Sequence, residues 1–264
     1  MEHSVERSSD DIEIIFICDF YKSDLDNKGG AENNDSVLIS LLRERGCKVD
    51  AHYSRDVSPP FLEKNKNKKF IIGNFIQLSE VAKDSLADKH YIIYEHDHKY
   101  VKTRDPSRFR NFKAPPDQLI NQEFFKNAAC VVCLSNIQAK CVRENLQIEN
   151  VESIGCSLWS DDKLDFISSI ANTPKVKDYC IVQSANVVKG TAKAQEFCRR
   201  YDYEYDLISS NNEKEFLHQL SSYKCLVYMP TVLESLCRLV VEAKMLNCGV
   251  LTQTQLLGAA SQSW

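Results

Sequence analysis

Residues 224–252 read KCLVYMPTVLESLCRLVVEAKMLNCGVLT, a strand–helix–strand pattern in one short stretch. Residues 224–229 and 249–252 are short apolar runs typical of buried strands, and residues 235–247 between them have the length of a helix. Consecutive strands joined by a helix lie parallel in one sheet, with a right-handed crossover. This stretch therefore predicts a parallel sheet covered by helices.

The same alternation extends outward from this stretch over most of the chain. The predicted strands lie at 12–20, 47–53, 68–75, 90–98, 129–135, 150–155, 178–183 and 203–209, and the predicted helices at 31–45, 76–87, 118–128, 136–146, 190–201 and 212–220. A polar, proline-containing break near 168–178 divides the series into two. We therefore predict an α/β protein with two doubly wound, parallel-sheet (Rossmann-like) domains facing across a cleft. A flexible leader at 1–11 precedes an N-terminal domain at 12–170 and a short C-terminal domain at 171–264.

The composition is that of an ordinary soluble globular protein. Of 264 residues, 43% are hydrophobic and 27% are charged, and a net charge of -4 argues against a protein that coats nucleic acid. No apolar run reaches the length of a membrane span, and residues 1–11 lack the apolar core of a signal peptide. We therefore expect a cytoplasmic protein without a transmembrane segment, and peripheral contact with a membrane stays open.

The eleven cysteines are an odd number, and most of them stand in apolar contexts. Free cysteine behaves as a small buried hydrophobe, and the lack of an export signal favours a reducing compartment. Cys130 and Cys133 form one CxxC pair on a predicted strand, where positions three apart point to opposite faces. We therefore favour core cysteines over a metal or redox site.

Glycines and a lysine follow two of the predicted strands, at the sheet edge where open α/β sheets bind ligands. Gly29 and Gly30, in NKGGAEN, permit a positive φ and the close approach of a ligand just before a helix. Lys189 precedes Gly190 at a helix start, where an ammonium can meet phosphate. The alternatives are a tight strand-to-helix turn for the glycines and an exposed surface lysine for Lys189.

Four consecutive ionisable residues follow the apolar part, 90–94, of the predicted strand at 90–98. They are Glu95, His96, Asp97 and His98, and such a run does not suit a hydrophobic core. His96 and His98 would share one face if the strand continued, but no third zinc ligand is evident, so we favour hydrogen bonding or acid–base chemistry. The basic stretch at 99–113 either faces phosphate or an anionic acceptor, or is a solvated loop.

Two glutamates interrupt the apolar stretch quoted above. Glu234 is predicted in the loop or the first helical turn after the strand at 224–229, where its charge suits the helix dipole. Glu242 is eight positions further on, roughly two helical turns, so that both carboxylates are expected near one helix face. Because a carboxylate is costly to bury without a partner, a purely structural role for Glu242 is hard to justify.

These residues together resemble a known family. Glu234 and Glu242 resemble the Glu-x7-Glu motif of retaining nucleotide-sugar glycosyltransferases, and the NKGGAEN loop and the NVVKG segment come in the order that this family shows. Over about residues 12–263, the chain resembles a family 4 (group 1) glycosyltransferase of the GT-B fold.

The resemblance implies a role for each matching position. Glu242 would bind the ribose hydroxyls of the donor, and Glu234 would lie at the transferred sugar. The implied catalytic residues are Glu234 and His98, or His96 in place of His98. The implied donor-binding residues are Gly29, Gly30, Lys189, Ser235, Leu236, Cys237, Arg238 and Glu242. Lys189 and the amides of 235–237 would meet the diphosphate.

The chain departs from the family pattern at three places. Gln183 stands where the family usually has an arginine, for which Arg238 is a candidate replacement, and Ser235 stands where it has a glycine. The chain ends at Trp264, where the family continues into closing helices, so that we expect either a compact variant or an incomplete chain.

The expected activity is transfer of a sugar, with retention of configuration, from a nucleoside-diphosphate sugar to a hydroxyl of an unidentified glycan, lipid-linked or small-molecule acceptor. Protein groups would stabilise the departing diphosphate, so that no metal, no further cofactor and no nucleic acid is expected. Two alternatives remain: a nucleotide-sugar-binding protein without turnover, and a metal-dependent transferase using Asp24 and Asp26.

Overall fold

The computed structural model describes residues 12–21 and 29–263. The predicted leader at 1–11 and the Asp24 and Asp26 pair lie outside the described residues. The chain forms two compact units. Of the described residues, the N-terminal unit contains those up to Arg104 together with Pro115–Cys133 and Val142–Ser153, and the C-terminal unit contains Asp105–Ala114, Leu134–Cys141 and those from Ile154 onward.

The N-terminal unit is built on a six-stranded parallel sheet with the strand order β2-β1-β3-β4-β5-β6. Its strands are β1 (Glu13–Cys18), β2 (Lys48–Tyr53), β3 (Lys69–Ile72), β4 (Tyr91–Glu95), β5 (Cys130–Cys133) and β6 (Val151–Ser153). The helices of this part of the chain are α1 (Gly30–Glu44), α2 (Pro59–Lys64), α3 (Glu80–Leu86), α4 (Gln122–Asn127) and α5 (Asn136–Leu146). All residues of β1 after Glu13 are buried, as expected for a strand of a sheet that is covered on both faces.

The C-terminal unit has a four-stranded parallel sheet with the strand order β10-β9-β7-β8. Its strands are β7 (Lys177–Val182), β8 (Tyr205–Ile208), β9 (Tyr223–Tyr228) and β10 (Gly249–Thr252), and its helices are α6 (Asp161–Ile170), α7 (Thr191–Arg200), α8 (Glu213–Ser221) and α9 (Arg238–Met245). The predicted α/β class and the two parallel sheets are confirmed.

Two helices lie where no helix was predicted, and three begin three or four residues later than predicted. Helices α3 and α4 begin at Glu80 and Gln122 instead of residues 76 and 118. Helix α2 has proline at its first positions, where a missing amide hydrogen costs nothing. Helix α6 begins with Asp161 and Asp162, whose charges suit a helix N-terminus, and its end overlaps the predicted linker. Helix α9 begins at Arg238 instead of residue 235.

Each sheet reverses its strand order once. In the N-terminal unit, β1 lies between β2 and β3, so that the chain switches direction across the sheet between β1 and β3. In the C-terminal unit, β7 lies between β8 and β9, which places the switch between β7 and β9. Ligands of open α/β sheets bind outside the carboxyl ends of the strands at such a point. The residues that follow these strands are therefore the first place to look for a site.

Two further features concern the whole described chain. All eleven cysteines are free thiols, so the CxxC pair of Cys130 and Cys133 is not a disulfide. Among the helices of residues 12–21 and 29–263, none combines the length and the apolar character that crossing a bilayer requires.

Candidate functional site

Lys189 lies at the switch point of the C-terminal unit. It ends a short 3₁₀ turn, Val187–Lys189, between β7 and α7. The next residue, Gly190, has φ +69, and a Cβ at this position would lie 1.7 Å from the carbonyl oxygen of Met229. Only glycine tolerates both this backbone angle and this contact. The turn that carries Lys189 therefore packs directly against the chain that leaves β9.

Lys189 forms an ion pair with the first of the two predicted glutamates. Its Nζ lies 2.9 Å from Oε1 of Glu234, and the hydroxyl of Tyr228 donates a hydrogen bond of 2.6 Å to the same oxygen. Burial lowers the pKa of Lys189, but the charge of Glu234, the nearby Cys237 and the hydrogen bond to Glu234 together outweigh burial and raise the pKa overall. Burial, together with the nearby Cys237 and Glu234, raises the pKa of Tyr228. Lys189 is therefore a cation and Tyr228 a neutral donor at neutral pH.

The backbone around Glu234 is held by the segment near the C-terminal end of the described chain. The amide of Glu234 donates to the carbonyl of Leu256 at 3.0 Å, and the amide of Gly258 donates to the carbonyl of Glu234 at 2.9 Å. A Cβ on Gly258 would lie 2.0 Å from the carbonyl oxygen of Ser235. Glu234 therefore lies in a fixed loop before α9, and the expectation that both glutamates share one helix face is wrong.

Ser235, Leu236 and Cys237 are all buried and precede α9 instead of forming its first turn. Cys237 is the N-cap of the helix and has φ 75, an angle that costs free energy for a residue with a side chain. Burial and the charge of Glu234 raise the pKa of its thiol to about 12. The loop is thus held in a strained conformation with a neutral thiol beside the ion pair.

Glu242 is the most heavily compensated carboxylate of the candidate site. It is 7% exposed, and its Oε1 accepts hydrogen bonds from Nε1 of Trp159 at 2.8 Å and from Nζ of Lys163 at 2.6 Å. Nε of Arg238 lies 3.9 Å from the same oxygen. Lys163 also pairs with Glu213 at 2.7 Å. These contacts explain how a carboxylate is tolerated in an apolar helix, and all three contacts to Glu242 are made by Oε1.

Three residues of this site were not predicted from the sequence: Tyr228, Trp159 and Lys163. Tyr228 is the last residue of β9, and its position at the carboxyl end of a strand could have indicated it from the sequence. Trp159 and Lys163 lie 83 and 79 residues before Glu242, and nothing in their local sequence indicates the contact.

Arg238 is bound to the chain that precedes α6. Its NH1 donates to Oγ of Ser157 at 2.7 Å and to the carbonyl of Leu158, and its guanidinium stacks 4.5 Å from the ring centroid of Trp159. These contacts orient the guanidinium beside Glu242. Its predicted role at the diphosphate stays a prediction.

In the N-terminal unit, Gly29 is the N-cap of α1 and Gly30 is its first residue. Gly29 has φ -71, so it does not use the positive φ that glycine permits. A Cβ on Gly29 would meet only the flexible carboxylate of Glu32. The close approach of a ligand to these two glycines stays a prediction.

The two histidines after β4 have different partners. Strand β4 ends at Glu95, so His96 and His98 do not continue it. Nε2 of His96 lies 2.6 Å from Oδ1 of Asp35, and both side chains are almost fully buried. Nδ1 of His98 lies 3.0 Å from the hydroxyl of Tyr100, and His98 has φ 53. Both rings are thus hydrogen-bonded to other side chains of the protein, and their predicted role in catalysis stays a prediction.

The side chain of Glu95 holds the turn that follows β4 through three hydrogen bonds. It is fully buried, and its Oε1 accepts hydrogen bonds from the amides of Asp97, at 2.9 Å, and Lys99, at 3.2 Å, and from Nζ of Lys99 at 3.2 Å. In the part of the chain that the structure describes, no three His, Cys, Asp or Glu side chains form a group that could hold a metal ion.

Comparison with known proteins finds similarity in structure only. No family model matches the chain, and no curated protein matches it in sequence. Among solved structures, it is similar to Anabaena HepE in complex with UDP, with a TM-score of 0.51 and 11% identity over 91% of this chain and 80% of that one. HepE in complex with UDP-glucose gives a TM-score of 0.50 and 12% identity over 94% of this chain and 82% of that one.

An α-glucosyltransferase in complex with UDP-glucose and DNA containing an abasic site gives a TM-score of 0.48 and 10% identity over 91% of this chain and 78% of that one. Identities this low establish similarity of fold and nothing finer. The chain is therefore similar to HepE in fold.

Proposed function

We propose that the protein is a glycosyltransferase that moves a sugar from a nucleoside-diphosphate sugar to an acceptor hydroxyl. The observation that carries the proposal is the Lys189–Glu234 ion pair of 2.9 Å at the switch point of the C-terminal sheet. A second oriented carboxylate, Glu242, follows on the next helix. The fold shared with HepE, whose structures hold UDP and UDP-glucose, supports a nucleotide-sugar donor.

Glu242 is proposed to bind the ribose of the donor. Lys163 and Trp159 bind Oε1 and so fix the orientation of the carboxylate, while Oε2 takes no part in these two contacts. A carboxylate accepts hydrogen bonds from both hydroxyls of a cis diol, and each such bond to a charged group contributes about 1.5–3 kcal/mol. This carboxylate is therefore already oriented before the nucleotide arrives.

Lys189 is proposed to stabilise the diphosphate as it leaves, together with the amides of Ser235, Leu236 and Cys237. The Lys189 side chain is 40% exposed, so that a phosphate oxygen can reach its ammonium while Glu234 holds it from the other side. Glu234 is proposed to act beside the anomeric carbon, where positive charge develops as the bond to the phosphate breaks. Retention of configuration, a catalytic His98 and independence from metal ions belong to the same proposal.

The proposal is tested first by nucleotide binding. Calorimetry should show UDP binding to the purified chain, and Glu242→Ala should weaken it by roughly tenfold to a few hundredfold. The variant keeps Lys163 paired with Glu213, so a loss of affinity does not require an unpaired buried lysine. Glu204→Ala, at an exposed position of the same unit, is the matched control.

A second measurement separates transfer from binding alone. UDP release from a panel of UDP-sugars with acceptors should be detectable and should persist in EDTA. Binding without any release would favour the non-catalytic alternative, and activity lost in EDTA and restored by manganese or magnesium would favour the metal-dependent one. Undiminished UDP affinity in Glu242→Ala would remove Glu242 from the donor site.

A further inference from the structure

The N-terminal unit contains a cavity of about 510 Å³ that the proposed donor site does not use. It opens beyond the carboxyl ends of β3 and β4, where ligands of parallel sheets bind. Six of its lining side chains are Phe75, Ile76, Lys83, Lys99, Lys102 and Arg104. Two of them follow β3, three follow β4 and one belongs to α3.

Most of the positive charge in this cavity is already compensated. Nζ of Lys83 lies 2.7 Å from Glu80, and Nζ of Lys99 lies 2.7 Å from Asp97. Arg104 forms an ion pair with the same Asp97, and Glu95 adds a third carboxylate behind Lys99.

Lys102 differs from the other three cations of the cavity. Its side chain is exposed, and no carboxylate forms an ion pair with it within residues 12–21 and 29–263. Four cations therefore face three carboxylates, which leaves one positive charge. A ligand with a single negative charge completes this balance, whereas a second negative charge would be repelled by Glu80 and Asp97.

The uncharged lining side chains are apolar apart from Asn121, whose Oδ1 accepts a hydrogen bond of 2.9 Å from Nζ of Lys83. The ring of Phe75 lies under the ammonium groups of Lys83 and Lys99, at 5.7 Å and 5.3 Å from its centroid. Ile76 is 54% exposed, and Ile120 completes this side of the lining. Exposed isoleucine beside cations suits a ligand that has an apolar part next to its charge.

We propose that this cavity binds an amphiphilic monoanion, with its oxyanion at Lys102 and Arg104 and its apolar part against Ile76 and Ile120. The identity of this ligand rests on the function proposed above: for a glycosyltransferase, the ligand of this cavity is the acceptor. The acceptor of the sugar then carries one carboxylate or one phosphodiester group close to an apolar group.

Direct binding of three probes to the full chain tests the cavity without any nucleotide. The probes are p-nitrophenyl β-D-glucuronide (a carboxylate), bis(p-nitrophenyl) phosphate (a phosphodiester) and p-nitrophenyl β-D-glucoside (neutral). Ligand-observed NMR titrations should give at least one anion a dissociation constant roughly fivefold below that of the glucoside, as expected for one exposed charge contact. The anion that binds more tightly identifies which of the two oxyanions the cavity prefers.

Variants of Lys102 test whether its positive charge causes the preference for the anionic probes. Lys102→Met should abolish the preference for the anion, Lys102→Arg should keep it, and Lys64→Met, at an exposed position outside the cavity, should leave it unchanged. Equal binding of all three probes, or a preference that survives in Lys102→Met, would overturn the cavity proposal.

Calorimetry with UDP on the same preparations keeps the two proposals separate. A chain that binds the anion but not UDP would end the proposed transferase function and leave the anion site standing. A chain that binds UDP but shows no preference for an anion would contradict the anion site and leave the proposed transferase function unaffected. With both sites present, p-nitrophenyl β-D-glucuronide, which carries hydroxyls, should give faster UDP release than the glucoside if it is the preferred anion and the cavity holds the acceptor. Bis(p-nitrophenyl) phosphate has no hydroxyl to accept the sugar, so if it is the preferred anion it should instead slow UDP release with the glucoside by competing for the cavity. A preferred anion that leaves the rate of UDP release unchanged would contradict the acceptor role.

Discussion

Glu234 and Glu242 differ in the groups that compensate their charge. Glu234 has one ammonium and one phenol on Oε1, and its side chain is 15% exposed. Glu242 has an ammonium and an indole within hydrogen-bonding distance and a guanidinium nearby, and its side chain is 9% exposed. Glu242 is therefore held by the protein whether or not a ligand is bound. The negative charge of Glu234 is compensated chiefly by Lys189, and a bound diphosphate would contact the same ammonium group.

This difference predicts a separation of catalysis from binding in Glu234→Gln. The amide oxygen can still accept the bond from Tyr228, but the charge opposite Lys189 is lost. We expect kcat for UDP-sugar turnover to fall by roughly 10- to 100-fold, because charge that develops at the sugar is no longer stabilised. Affinity for UDP, measured by calorimetry, should change by less than about threefold. Equal losses in kcat and in UDP affinity would place Glu234 at the nucleotide instead.

The two histidines predict different effects on turnover for a matched pair of alanine variants. His96→Ala removes the ring nitrogen that lies 2.6 Å from the buried carboxylate of Asp35, which should cost about 3–5 kcal/mol of the free energy of unfolding. His98→Ala removes the hydrogen bond to Tyr100 and a fully buried ring, and should cost about 2–4 kcal/mol while also lowering kcat. Urea unfolding and turnover of both variants provide the test. A stable but inactive His96→Ala beside a fully active His98→Ala would transfer the catalytic role to His96.

At the scale of elements, the strands could be predicted because parallel strands are continuous apolar runs, as in Ile14–Cys18. Helix α6 could not, since its sequence DDKLDFISSI is largely polar and only Ile167 among its residues is buried. The start of α9 could not either. The positive φ of Cys237 and the bridge between Glu234 and Leu257 hold the preceding loop out of the helix, and these are tertiary effects.

The turns that hold the candidate donor site predict a contrast between three glycine variants. Gly190→Ala forces a side chain into the carbonyl of Met229 at φ +69, and Gly258→Ala forces one into the carbonyl of Ser235. Each should lower the free energy of unfolding by about 3 kcal/mol. Gly29→Ala, at φ -71 beside a flexible Glu32, should change it by less than about 1 kcal/mol. Urea unfolding measures all three, and equal stability of the three variants would show that the two turns can relax.

At the scale of the whole molecule, buried thiols link stability to pH. Burial raises the pKa of Cys18 and Cys237 to about 12 and that of Cys248 to about 11, from a usual value of 9.0. Asp35 adds to the effect at Cys18, and Glu234 adds to it at Cys237. These thiols occur in both compact units, so their titration acts on each of them.

The sign of this linkage predicts that the protein loses stability in alkali. Between pH 9 and about pH 11, an unfolded thiol loses its proton while the folded one keeps it, so the unfolded state binds fewer protons. The stabilisation is complete below pH 9 and decreases as the pH rises, by up to about 1.4 kcal/mol per pH unit for each thiol. Buried tyrosines such as Tyr91 and the paired Lys177 also have raised pKa values, and contribute with the same sign at higher pH. The contribution of a thiol is isolated by comparing the wild-type chain with Cys18→Ala in urea unfolding at pH 8, 9, 10 and 10.5, with a reductant present. We expect the variant to be less stable at pH 8 because of the cavity it creates, but to lose less stability than the wild type as the pH rises. Parallel pH profiles for the two proteins would show that Cys18 ionises in the folded chain as readily as in the unfolded one.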